Sequence, residues 1–157
     1  MHHLLPESSQ AEEVAFVFTS LSQSRTALEM KYVEWDPVSP NGFAAHSGAY
    51  IELTDEARAG VIKRAHDLGA GLVEFHSHLY SREISFSSSD LQGLREFVPH
   101  VMWRLKGKPY AAVVVGRSGF DALVWQVASR PETLAELRVG RSVLKPTGLT
   151  LRRRDSR

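Results

Sequence analysis

Apolar and polar positions alternate with two different periods along the chain. Ala15–Leu21 (AFVFTSL) is apolar and aromatic, which predicts a buried strand, and Ala27–Trp35 (ALEMKYVEW) alternates apolar with polar, which predicts a half-buried one. DPVSPNGF is a loop by its Pro, Asn and Gly content, and GAYIEL is a short strand. From Thr54 the period becomes helical. Thr54 supplies a cap, Asp55 and Glu56 suit the positive end of the helix dipole, and Val61, Ile62, Ala65 and Leu68 share one face before Gly69 stops the helix. LVEFHSH returns to strand, and LYSREISF, with no strong period, is a loop. SSSDLQGLREFV opens a second helix with a serine cap, and Pro99 is expected to end or kink it. PYAAVVVG is apolar throughout, as a central strand is; RSG is a turn and DALVWQVA the hairpin partner. PETLAEL, with Pro131 in its first turn, reads as a short helix. Strands and helices interleave, with hairpins at both ends. The expected fold class is α+β (mixed α/β), a mixed β-sheet flanked by helices.

Composition narrows the function. The 157 residues fit one domain, and a 43% apolar content supports a real core. The formal net charge of +1 gives no general attraction to nucleic acid or membrane surfaces. There are no cysteines, which excludes disulfides, thiolate metal sites and a cysteine nucleophile, so any zinc site must use His, Asp, Glu and water. MHHLLPESSQAEE is too polar and short for a signal peptide, and no apolar run nears the ~20 residues of a membrane span, so the protein reads as cytoplasmic. Residues 138–157 hold seven Lys/Arg against one Asp, the composition of a solvated end. The expected organisation is an N-terminal segment (1–11), one domain (12–143) and a basic tail (144–157).

Candidate chemistry centres on VEFHSHLY. On a strand, residues two apart point to the same face, so His76 and His78 project side by side and Ser77 points away. Asp90, at the start of the following helix, can converge with them across one loop. His76, His78 and Asp90 plus a water make the open, four-coordinate donor set of a catalytic zinc. Such a site also needs a base for the water, and Glu12 and Glu13 stand at the head of the first strand. Of the remaining histidines, His2 and His3 lie in a loose terminus, His66 on a solvated helix face and His100 at a helix end, while His46 stays open for a site role. Trp35, Trp103 and Trp125 read as packing residues.

The order Glu, His-x-His, Ser-x-x-Asp resembles the JAMM motif of the JAB/MPN metallopeptidases, carried here by EEVAFVF, HSH and SSSD. The resemblance spans roughly Glu12 to Gln126 and looks most like the bacterial JAB peptidases of ubiquitin-like conjugation operons. It favours Glu12 over Glu13, because Glu12 puts Ala15 where the family usually has glycine and Glu13 would put Phe16 there. Two departures stand out: Leu79 replaces the usual proline after the second histidine, and eleven residues separate His78 from Asp90, one more than is common.

The resemblance implies a Zn2+-dependent isopeptidase or peptidase that cuts the amide after the C-terminus of a ubiquitin-like protein. Zinc would be held by His76, His78 and Asp90, with Glu12 as general base and Ser87 as the hydroxyl beside the oxyanion. Implied partners are the ubiquitin-like protein, its conjugates, and E1-like and E2-like proteins of the same operon. LYSREISF is the candidate for shaping substrate access. The alternatives are a non-catalytic scaffold of the same fold and a zinc hydrolase of small amide or thiocarboxylate-linked substrates. A nucleic-acid role through LRRRDSR is a weaker reading, and a zinc deaminase is disfavoured by the missing cysteines.

Overall fold

The computed structural model describes residues 3–5, 11–47 and 50–155. In chain order the elements are β1 (Val14–Gln23), β2 (Leu28–Pro37), a 3-10 turn (Pro40–Gly42), β3 (Phe43–His46), β4 (Ile51–Leu53), α1 (Asp55–Leu68), β5 (Gly71–Ser77), α2 (Ser88–Arg104), β6 (Tyr110–Gly116), β7 (Gly119–Val127), β8 (Arg130–Thr133), β9 (Leu137–Val139), β10 (Ser142–Leu144) and α3 (Leu149–Asp155). Six strands form one mixed sheet in the order β2-β1-β5-β6-β7-β8, so the fold is α+β as its patterning predicts. β5 and β6 pair in parallel, joined through α2, and the other neighbours pair antiparallel.

All seven residues of β6 are buried, which explains its uninterrupted apolar run: both faces of the sheet are covered there. One face packs Val14, Phe16, Phe18 and Leu72 against Val61, Ile62 and Ala65 of α1 and Leu94, Val98 and Val101 of α2. On the other face, Val73, Val113, Ala122 and Val124 are met by Leu4, Leu5, Leu134 and Leu137. His3 therefore does not lie in a loose end. Its Nε2 donates to the Val14 carbonyl at 3.1 Å and its ring meets Trp35 edge-on. His2 lies outside the described residues.

The predicted caps of α1 are present: the Thr54 hydroxyl accepts from the Ala57 amide and Gly69 closes the helix, although Leu68 stays 38% exposed. Three expectations change. α2 runs on through Pro99 to Arg104, so His100 sits inside the helix. The proline removes a bond to the Arg95 carbonyl, but both residues are exposed and water can serve that oxygen. The helix expected over PETLAEL is absent. Arg130–Thr133 instead pairs with β7, Pro131 opposite Trp125, at the sheet edge where a missing N–H is tolerated. Finally, the basic C-terminal region forms the β9–β10 hairpin and α3, and Thr150 within it is 5% exposed. Among the described residues, no helix is long and apolar enough to cross a membrane.

Candidate metal centre

β5 ends at Ser77, and the His78 amide continues the ladder by donating to the Val115 carbonyl at 2.8 Å. His76 and His78 consequently emerge on the helix-covered face, 5% and 8% exposed, with ring centroids 5.2 Å apart. Asp90 arrives from the first turn of α2. Its position is fixed by a capping box: the Ser87 hydroxyl accepts from the Asp90 amide at 3.1 Å, and the Ser87 amide donates to Asp90 Oδ2 at 2.7 Å. That same Oδ2 lies 3.2 Å from His78 Nε2 and 3.6 Å from His76 Nε2. The three side chains each offer one donor atom within 4.8 Å of the others.

One atom bears directly on whether this cluster suits a cation. His76 Nε2 is buried and has no hydrogen-bond partner, its distance to Asp90 being too long for one. Leaving a buried polar atom unmet costs about 1–3 kcal/mol. A metal ion held by two imidazoles and a carboxylate would satisfy it. His76, His78 and Asp90 can therefore bind a metal ion, and three protein donors leave room for a water.

Charges around the cluster are strongly coupled. Burial alone would lower the His76 pKa, but the Asp90 and Glu74 carboxylates outweigh it and raise it to about 10. Burial pushes Asp90 up, and the two imidazoles and the Ser87 amide overcome this, holding it well below the usual carboxylate range.

The β1–β5 register distinguishes the two glutamates. Val14 pairs with His76, and the Ser77 amide donates to the Glu13 carbonyl, so the antiparallel ladder sets Glu13 opposite Ser77 and Glu12 opposite His78. Glu12 thus shares the face of the histidines and is 8% exposed, whereas the Glu13 amide is bonded to the Ser77 hydroxyl on the β5 partner strand. Burial raises the Glu12 pKa against the lowering pull of His78 and His76. His46 lies behind Glu12 instead of joining the cluster: its Nε2 donates to the Glu12 carbonyl at 2.5 Å and its ring stacks on Phe43. Ser87 is placed as the helix cap, its hydroxyl 2.8 Å from that of Ser89.

No family model matches the chain. No curated protein matches it either. The resemblance to the JAB/MPN peptidases therefore rests on the motif residues of the sequence alone.

Two further residues belong to the site. Glu74 Oε1 lies 3.7 Å from His76 Nδ1, and Glu74 Oε2 accepts from the Tyr110 hydroxyl at 2.5 Å. Glu74 was legible from the same two-residue period that pairs the histidines, while Tyr110 needed the β5–β6 register. A cavity of about 340 Å³ runs from His76, Glu74 and Asp90 between β4 and α2.

Proposed function

We propose that the protein is a zinc-dependent peptidase or isopeptidase that hydrolyses the amide bond following the C-terminus of a ubiquitin-like protein. The observation that carries this reading is that Glu12, two residues before β1, lies buried on the face of His76 and His78, within electrostatic reach of both and of Asp90. His76, His78 and Asp90 would hold the zinc. When bound, zinc supplies Lewis acidity and a water whose pKa falls to ~7. Glu12, raised by burial yet close to two imidazoles, accepts a proton from the attacking water. As the C–N bond breaks, Glu12 returns that proton to the leaving amine. Ser87 stands at the helix start beside Asp90, where its hydroxyl would serve the developing oxyanion. The cavity between β4 and α2 leads to the cluster and suits an extended chain end. E1-like and E2-like proteins of the same operon are the expected sources of conjugates, and a cytoplasmic setting suits a cysteine-free chain.

The test uses protein purified without chelators. Zinc content is measured, and cleavage is followed on ubiquitin-like proteins encoded near its gene, each fused to a C-terminal extension. Wild type and Glu13→Gln are expected to cut. Glu12→Gln is expected to keep its zinc and lose about 100- to 10,000-fold in rate. Zinc binding with no cleavage of any such fusion would reject the peptidase reading, and absence of zinc would favour a scaffold.

A further inference from the structure

The loop between His78 and Ser87 carries no helix or strand, yet Ile84 and Phe86 within it are almost fully buried. Its backbone must be satisfied by something other than a ladder. The C-terminal segment does this with two side chains. The Thr147 hydroxyl donates to the Ile84 carbonyl at 2.8 Å, and the Thr150 hydroxyl accepts from the Phe86 amide at 3.0 Å. Both threonines are themselves anchored to β7. The Thr147 amide donates to the Phe120 carbonyl at 2.9 Å, and Thr150 donates through its hydroxyl (2.6 Å) and its amide (2.9 Å) to Asp121 Oδ2.

Asp121 is completely buried, and both its carboxyl oxygens are met by hydrogen bonds. Oδ1 accepts from the Gly148 and Ala122 amides at 2.9 and 3.0 Å, while Oδ2 holds Thr150. Four hydrogen bonds on one buried carboxyl group make this a firm anchor. Gly148 turns the chain between the two threonines with a φ of +64°, a conformation that favours glycine. Farther out, Arg153 pairs with Glu83 and donates to the Ser85 hydroxyl at 3.2 Å.

This anchored loop touches the candidate metal centre at two points. The Phe86 ring stands edge-on to His76, centroids 5.5 Å apart, and the next residue, Ser87, caps the turn that presents Asp90. We infer that the C-terminal segment is a positioning element of the metal centre: Asp121 and Thr150 clamp Phe86, and so set the placement of His76 and Asp90. Asp121, Thr147 and Thr150 are positioning residues that act through the loop. The inference builds on the metal-binding reading of His76, His78 and Asp90.

The test is cobalt uptake by the full chain, followed by the visible absorption of the bound ion and by competition with a chelator. Thr150→Val removes the hydroxyl at nearly constant shape, and Thr150→Ser restores it. Thr150→Val is expected to weaken cobalt affinity by about 10-fold and to alter the absorption bands, as loss of supporting hydrogen bonds does at metal sites. Thr150→Ser should return both to near the wild-type values. If Thr150→Val does not fold, Thr147→Val, which removes the bond to the Ile84 carbonyl and the long one accepted from the Leu149 amide but leaves Asp121 and Thr150 paired, is expected to give a smaller shift in the same direction. Wild-type affinity and an unchanged spectrum in the folded variants would overturn the inference. Failure of the wild type itself to take up cobalt would instead sink the metal reading.

Discussion

Replacing Tyr110 with phenylalanine removes one oxygen atom from the centre of the protein. Tyr110 is fully buried, and its hydroxyl donates to Glu74 Oε2 at 2.5 Å while Glu74 Oε1 faces His76 Nδ1 at 3.7 Å. Burial, reinforced by the Glu74 charge, raises the tyrosine pKa well above its ordinary value, so the hydroxyl keeps its proton and remains a donor. A hydrogen bond to a charged group contributes about 1.5–3 kcal/mol. The Glu74 side chain is 18% exposed, so water can replace part of the loss and the cost should fall near ~1.5 kcal/mol. For a chain of this length that lowers the melting temperature by roughly 3–6 °C. Glu74 would then be freer to turn from His76, and metal affinity should drop about 10-fold, as for other outer carboxylates behind metal-binding histidines. Urea unfolding and zinc titration of Tyr110→Phe, Glu74→Gln and the double variant measure both effects. The three groups are in contact, so the stability losses should fall short of additive by at least ~0.5 kcal/mol. Additive losses, or single variants that bind zinc as the wild type does, would refute the chain from Tyr110 through Glu74 to His76.

A Cβ at Gly116 would come within 2.1 Å of Ile84 Cδ1 and 3.0 Å of its Cγ1, so Gly116→Ala should displace the His78–Ser87 loop, cost about 1–3 kcal/mol in chemical unfolding and weaken zinc binding. Ser87→Ala removes the hydroxyl that accepts from the Asp90 backbone amide and should cost ~1 kcal/mol of stability, whereas zinc affinity by titration should fall only slightly, because the Ser87 amide still donates to the Asp90 carboxylate. Zinc at about 100 times its dissociation constant should stabilise the wild type by ~2.7 kcal/mol in thermal melts, reversed by chelator, and His76→Asn should abolish this gain.

The histidine pair and the α+β class were readable because both depend on local period alone. The choice between Glu12 and Glu13 was not readable from period, since adjacent strand residues alternate faces and only the pairing of Val14 with His76 fixes which faces the histidines. The C-terminal region misled through its arginines. Its docking residues are the uncharged Thr147 and Thr150, and their partner Asp121 lies in an apolar run where a lone acid was the one available signal. PETLAEL misled because proline suits both a helix start and an edge strand, and pairing with Trp125 selected the second. α2 does not end at Pro99 because a missing bond is tolerable at a wet carbonyl.

Asp90 Oδ2 accepts the Ser87 amide and is also the carboxylate atom nearest both histidines. One oxygen therefore serves two masters, the first turn of α2 and the candidate metal site. A substitution at Asp90 weakens a helix end at the same moment as it removes a candidate ligand, so an Asp90 variant that binds no metal cannot separate a lost donor from lost folding. Among the described residues no helix cap rests on the Glu12 carboxylate, so under the proposed function an inert but intact version of this protein, suitable for trapping a bound substrate, would best be made there.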